Sequence, residues 1–547
     1  MRVYLRDFHG LQPNRASRLE GANYAEEAYD TNLWNGQIRN FPKPTVHCSP
    51  NATTLTITKG FDCCLNWATH VDVVRDCDAV FWTGDGVPKM ATTAELCAGA
   101  EHIWSIPIPP QPIATFTPCG TSMCRYVAYM VVCEVEVGGK SLFSQPSKPT
   151  EWLQACGDSE VVLTAIHATH PLATRMHIYR AEAGFHEGSE NEIPLNATWL
   201  LAGTTTSTTY TDHAGSYNTA PAHPLLFEFG NPPADLHSVV QTDDGIFAGL
   251  SGEYLWYTLP GEPMTWSTRR CRHLRTRWGK PLRVVAHGET LYVLTDNMPV
   301  VYSVRLTDTG PRLDRNVVEK YLPLESYGSV ATSSKGIIYA SLSGLVALTG
   351  TTAVVISSPW FNKDQWRSLR PETVVGAVHD DAYIFSTRRA AYILEFGDDM
   401  YADNKNSKLM GLKLGGTITG ASAMASDKDA VYWVKSGTGY RWDRAEETTD
   451  VCPFFYRTSV VDGNLPATLT AAELHGDPGI AVTVRYLRET GVGGVREMLR
   501  ELMVFDKTPF RLPATHRQED TLFEIEGIGS VDSVTFATSH TGLRGVG

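Results

Sequence analysis

The chain has 547 residues and a formal net charge of −13. Its length exceeds what one ordinary core serves, and 42% hydrophobic with 20% charged residues excludes a disordered chain. With 46 Gly and 31 Pro, and few runs of Ala, Leu, Glu and Lys, it excludes a mainly helical protein and predicts a mostly-β one.

The opening "MRVYLRDFHG" carries charges at Arg2, Arg6 and Asp7 and lacks the apolar stretch of a secretory signal. An unexported chain with reduced thiols is therefore expected. Residues 1–46 read as an arm with a docking helix, because Ala25, Ala28, Tyr29 and Leu33 fall at helical spacing before the Asn35-Gly36 turn signal. Eleven Cys are present, nine of them before residue 157. Cys48, Cys63, Cys64 and Cys77 with His47 and His70 invite a zinc reading, but no C-x-x-C pair sets up tetrahedral ligation, and structural thiols are expected instead.

Residues 47–118 read as short strands ("TLTIT", "VDVVR", "AVFWTGDGV") followed by the stiff, Pro-rich "SIPIPPQPIATFTP". Residues 119–225 show six or seven short strands with a hairpin turning at Gly138-Gly139. This is the rhythm of an immunoglobulin- or fibronectin-like sandwich.

Residues 226–450 carry a repeat. Five segments, each an apolar strand, a polar turn and a second apolar strand, have first strands beginning at Ile246, Leu291, Ile337, Ala382 and Val431. The spacings of 45, 46, 45 and 49 residues match a β-propeller of four-stranded blades. Five to seven blades are expected. The longest uncharged run, Gly336 to Asn362, is broken by Ser, Thr, Gly and Pro and reads as buried strands, not a transmembrane segment. Residues 451–547 read as a further C-terminal β domain.

Chemistry is sparse. No G-x-S-x-G, H-E-x-x-H or phosphate-binding G-x-x-x-x-G-K motif occurs, and no cofactor, metal site or catalytic residue is assigned. Asp243-Asp244, Asp380-Asp381 and Asp398-Asp399 are paired acids, two pairs standing just before a repeat strand where Asp forms turns. His167 and His170 lie three apart at an expected strand end and read as solvated or capping residues. The segment "STRRCRHLRTRWGKPLR" is the one dense basic block, with Arg269, Arg270, Arg272, Arg275, Arg277, Lys280 and Arg283 and no acid. It lies between the first and second repeats, a blade-to-blade crossing in which Leu274, Trp278 and Leu282 are spaced to pack while the cations point outward. Three roles are open to it: a solvated or salt-bridged face, an interface with an acidic neighbour, or DNA contact. No helix-turn-helix accompanies it, so sequence-specific reading is not expected.

The order of these pieces resembles the tail nozzle proteins (tail tubular protein B) of short-tailed bacteriophages. "LRDFHGLQPNRASRLEGANYAEEAYDTNLWNGQIRNFPKP" is similar to that family's start at Phe8, Gly10, Pro13, Ala25, Ala28, Asn32 and Pro42, with Gly36 one residue early. "FWTGDGVPKM", "HIYRAEAG" followed by "YTD", "GIFAGLSGEYLWYTLPGEPMTW" and "PFRLPATHRQEDTLFEIEG" resemble its later segments in the right order. The resemblance implies a non-enzymatic virion protein, assembled in the host bacterial cytoplasm. It implies a six-fold homo-oligomeric ring below an adaptor (gatekeeper) ring, with tail fibres or tailspikes around it and a needle or plug in some tails. The ring closes the channel until the genomic DNA passes through its lumen. Copies at −13 each suit a net-negative lumen along which a duplex slides without sequence-specific binding. Two alternatives remain from the residues alone: a tail receptor- or glycan-binding propeller, and a propeller glycoside hydrolase.

Overall fold

The computed structural model describes residues 2–543 apart from 15–20, 22, 34–35, 59–62, 117–123, 157–158, 184–197, 214–218, 275, 309, 398–406, 460–468, 477–480, 491–494, 506 and 514–519. The protein is mostly β, and its helices are as short as Thr93–Cys97 and Lys363–Ser368. Among the described residues, no helix is long and apolar enough to cross a membrane.

Four-stranded antiparallel sheets recur along the chain. The first holds Asp72–Asp76, Ala79–Thr83, Lys89–Thr92 and His102–Ile103, and the second His237–Gln241, Phe247–Ser251, Tyr254–Tyr257 and Cys271–His273. The third holds Pro281–His287, Thr290–Thr295, Val300–Thr307 and Gly310–Val317, and the fourth Ala331–Ser333, Gly336–Ser341, Gly344–Thr349 and Thr352–Val355. A fifth group, Val375–His379, Ala382–Ser386, Ala391–Glu395 and Lys408–Leu412, begins a ten-stranded sheet. The sixth comprises Ala423–Ser426, Val431–Lys435, Thr438–Trp442 and, from the far end of the sequence, Thr45–Cys48. Each repeat segment supplies the second and third strands of such a group. Those second strands are apolar on both faces, as Phe247, Ala248 and Leu250 or Ile337, Ile338 and Tyr339 show, because they lie inside the sheet and between packed layers.

The chain divides into two compact units, one of residues 1–70, 294–301 and 316–547 and the other of 71–293 and 302–315. In the second unit, the leading strands of the first three sheets, Asp72–Asp76, His237–Gln241 and Pro281–His287, pack in succession. Between the first and second sheets the chain builds a two-sheet body. One sheet joins Ile113–Phe116, Glu160–Thr164 and Tyr210–His213. The other centres on the long strands Cys124–Val137 and Ala173–Ala183. Strict alternation puts Val127, Tyr129, Val131 and Cys133 into one core and Met130 and Val132 into another. The hairpin to Lys140–Phe143 turns at Gly138 and Gly139, both at positive φ (57° and 79°), which a two-residue primed turn requires. Arg180, 1% exposed, binds Asp212 at 2.8 Å, and Asp212 also accepts from the Tyr129 hydroxyl at 2.7 Å, so the two sheets share a buried polar tie.

In the first unit, the leading strands of the fourth, fifth and sixth groups, Ala331–Ser333, Val375–His379 and Ala423–Ser426, likewise pack in succession. The ten-stranded sheet runs on through Tyr24–Tyr29, Phe454–Thr458, Asp520–Ile528, Ala481–Thr490 and finally Val495–Val504. A smaller sheet joins Arg2–Arg6, Val531–Ala537, Ala471–Gly476 and Phe510–Arg511. The N-terminal arm is thus woven into the C-terminal strands.

Two expectations are corrected. Residues 24–29 form a strand and not a docking helix. Ala25 and Ala28, three apart, both reach the core because the register slips between Ala25 and Glu27, so an irregular strand reproduces a helical spacing. Nor are the N-terminal thiols all reduced. Cys48 and Cys64 are disulfide-bonded with Cα atoms 6.2 Å apart, inside bridging reach, and Cys63 and Cys97 are also disulfide-bonded. Cys77, Cys133, Cys271 and Cys452 are free. Among the described residues, no group of three or more His, Cys, Asp or Glu is placed to hold a metal.

Candidate interface at the basic segment

The basic segment begins where Trp266 is buried and its indole N–H donates to the Pro263 carbonyl at 2.8 Å. Ser267 then turns the chain, its carbonyl accepting from Arg270 N–H and its hydroxyl from Arg269 N–H. Cys271–His273 pairs with Tyr254–Tyr257 as the outer strand of the second sheet. A single 3-10 turn, Thr276–Trp278, and Gly279 at φ 97° deliver the chain to Pro281–His287, the leading strand of the third sheet. Leu274 and Trp278 are buried and Leu282 is half-buried, so the apolar residues anchor the crossing.

The cations do not all face outward, which corrects the sequence expectation. Arg270 is largely buried, ion-paired with Glu228 and donating to the Thr265 carbonyl at 2.9 Å. Arg283 binds Asp72 at 2.7 Å, joining the leading strands of the third and first sheets. Arg272 is half-buried with its guanidinium 5.3 Å from the Tyr257 ring centre. Arg277 and Arg315 lie 5.2 Å and 4.4 Å from the Trp278 ring centre. These are cation–π distances, at which a guanidinium keeps its charge and part of its donor set while losing conformational freedom. Arg269, Arg277 and Lys280 are exposed, and Arg275 lies outside the described residues.

Sequence reasoning did not find the partners Asp72, Glu228, Arg315, Tyr257 and Tyr302. Burial pushes the hydroxyls of Tyr257 and Tyr302 above the ordinary tyrosine range, although Arg272 beside Tyr257, and Arg315 and Arg272 beside Tyr302, pull the other way. A cue was present at Asp72, a buried acid beside the apolar pair Val73-Val74 of its strand, which in a core needs a cation. The arrangement can grip carboxylate or phosphate oxygens through prepositioned guanidinium groups.

The other sequence candidates are dispersed. Asp243 and Asp244 sit in the turn before Phe247–Ser251, and Asp380 and Asp381 form a turn at φ 47° and 54°. Asp380 lies 3.7 Å from Arg444 and 3.3 Å from His379. Asp398-Asp399 lies outside the described residues. His170 is buried, its Nε2 3.1 Å from the Ile103 carbonyl and its Nδ1 accepting from Leu172 N–H, and burial holds its pKa below the ordinary histidine value. In the two-sheet body, Glu134 accepts from Ser141 at 2.8 Å and meets His177 at 2.7 Å through its other oxygen. The hydroxyl is therefore bound to the carboxylate and not to the imidazole that would activate it.

No family model and no curated protein matches the sequence. Among solved structures, human WBSCR16 aligns at 11% identity and a TM-score of 0.21, over 58% of this chain and 100% of its own. A glycoside hydrolase family 43 arabinoxylan arabinofuranohydrolase from Bacillus subtilis aligns at 9% identity and 0.18, over 71% and 94%. An exo-beta-1,3-galactanase from Phanerochaete chrysosporium aligns at 9% identity and 0.11, over 88% and 100%. TM-scores this low do not establish a shared fold, so the activities of these proteins say nothing about this chain. What stands is a mostly-β chain of recurring four-stranded sheets with a two-sheet body between the first and the second.

Proposed function

We propose that the protein is a non-enzymatic tail nozzle of a short-tailed phage: a ring of copies that closes and then conducts the genome channel, docked to an adaptor ring and to fibres or tailspikes. In this reading the four-stranded sheets are blades of a β-propeller, and the two-sheet body is its sandwich insert.

The observation that carries the proposal is the order of parts. The sandwich-like body, Ile113–Phe116 to Ala220–Pro221, interrupts a series of four-stranded sheets after the first of them. The nozzle-like segments fall on the same parts: "FWTGDGVPKM" on the first sheet, "HIYRAEAG" on Ala173–Ala183, and "GIFAGLSGEYLWYT" on the second sheet. The charge of −13 supports a lumen from which DNA is repelled, not one to which it sticks. A cyclic ring needs two different, complementary faces per copy, and partly stacked arginines suit one of them.

The test is light scattering and negative-stain imaging of the full chain, alone and with its adaptor protein. Six-fold rings are expected. A chain that stays monomeric with its adaptor and binds host surface polysaccharide would replace this reading with a receptor-binding one. Release of saccharide would replace it with a hydrolase.

A further inference from the structure

The terminal half of the ten-stranded sheet carries a charge ladder with one residue per strand. Glu27, Arg457, Glu524, Arg485 and Glu501 stand directly opposite one another across five neighbouring strands. Successive contacts are 2.7, 2.5, 3.7 and 3.6 Å. Cross-strand pairs of opposite charge stabilise a sheet, and this alternation runs acid, base, acid, base, acid. It stops on an acid because the sheet stops there. Val495–Val504 is the last strand of this sheet, ten residues long, without proline or lysine, and among the described residues it is paired on one side only. Its other charges are engaged: Arg496 with Glu26, Glu497 with Arg488, and Arg500 with the Arg511 carbonyl. Glu501 remains 45% exposed at the open edge, with Met503 and Phe505 each 61% exposed on the same face. A long open edge of this kind is a template for another strand.

We propose that a second copy of this chain docks there through its own open edge, Arg2–Arg6, which among the described residues pairs only with Val531–Ala537. Period-two alternation puts Arg2, Tyr4 and Arg6 on one face of that strand and the buried Leu5 on the other. Arg6 is exposed, and among the described residues no group lies within ion-pair or hydrogen-bond reach of it. Tyr4 is 55% exposed.

Antiparallel pairing with Arg6 opposite Glu501 sets Tyr4 opposite Met503 and Arg2 opposite Phe505. The docked strand supplies the missing basic rung, an aromatic–thioether contact and a cation–π contact on one face. Leu5 falls opposite Leu502 on the core face. The two edges differ, so the contact is heterologous and repeats from copy to copy until a ring closes. This names the interface of the ring proposed above and rests on that reading.

The experiment uses charge reversal in the full chain with the adaptor present. Glu501→Arg alone and Arg6→Glu alone each abolish ring formation, with an unchanged circular dichroism spectrum. An equimolar mixture of the two restores rings, because alternate junctions then carry either the native or the swapped pair. Among the described residues the Arg6 side chain has no ion-pair or hydrogen-bond partner, so Arg6→Glu reports on assembly even if Glu501→Arg disturbs the ladder. Wild-type-like rings from Arg6→Glu, or no rescue on mixing, would overturn this interface and leave the ring standing. A wild-type chain that never assembles removes both.

Discussion

Arg283 donates to the Asp72 carboxylate across 2.7 Å, and both side chains are largely withdrawn from water. A cation that reads in the sequence as part of an outward-facing block is a bolt between two leading strands. Replacing Asp72 with Ala leaves the guanidinium without its acid, and the expected destabilisation is roughly 1–3 kcal/mol. Arg269→Ala, at an exposed position of the same block, is expected within about 0.5 kcal/mol of wild type. Urea unfolding of the two variants checks the contrast.

Asp30 gives a pH dependence of defined sign. Burial raises its pKa, and the amides of Leu414 and Lys413, donating at 2.9 and 2.7 Å, only partly oppose this. The folded state therefore holds the proton more tightly than the unfolded chain. The contribution of this residue to stability falls as pH rises from the ordinary aspartate range through the raised folded value. Asp30→Asn keeps an oxygen for both amides and removes the titration. It is expected to flatten the stability profile above the ordinary aspartate range, measured by chemical unfolding. An unchanged slope would refute the assignment.

Burial, reinforced by the nearby Asp30 carboxylate, pushes the Cys452 thiol up to about 12. Alkylation near about pH 8 proceeds through the thiolate, so Cys452 should stay unmodified in the native protein and react on unfolding. Cys77 is exposed and free, and should react first. Mass spectrometry of peptides after timed alkylation distinguishes the two.

Gly230 accepts from Trp266 N–H at 3.3 Å and donates to the Met264 carbonyl at 2.6 Å. A methyl group there would lie 1.9 Å from the Trp266 carbonyl oxygen, a backbone atom fixed by that same bridge. Gly230→Ala is expected to cost about 1–3 kcal/mol or more by forcing the bridge apart. A lowered urea midpoint with an unchanged slope is the expected reading.

The sequence made the repeating sheets legible because their second strands, such as Gly336–Ser341 and Ala382–Ser386, are buried on both faces and flanked by turn residues. It misread Tyr24–Tyr29, where a slipped register imitates helical spacing. It missed the Cys48–Cys64 bridge, because closeness across folded strands leaves no trace in ligand-type spacing. At the basic segment the composition was legible and the orientation was not. The fate of Arg270 and Arg283 depends on Glu228 and Asp72, which lie 42 and 211 positions away in the sequence.

The weaving of the first strands into the last has a consequence in time. Arg2–Arg6, Tyr24–Tyr29 and Thr45–Cys48 leave the ribosome well before the strands they pair with, Val531–Ala537, Phe454–Thr458 and Thr438–Trp442. At ordinary translation rates these strands wait on the order of half a minute for partners that have not been made. Residues 71–293, by contrast, come off almost without interruption and can settle while the chain's beginning is still unpaired. A nascent chain cut short after residue 450 would keep the two-sheet body and most of the repeated sheets. It would leave Arg2–Arg6 unmatched and Tyr24–Tyr29 bare along one side, free to pair with a neighbouring chain on the same polysome.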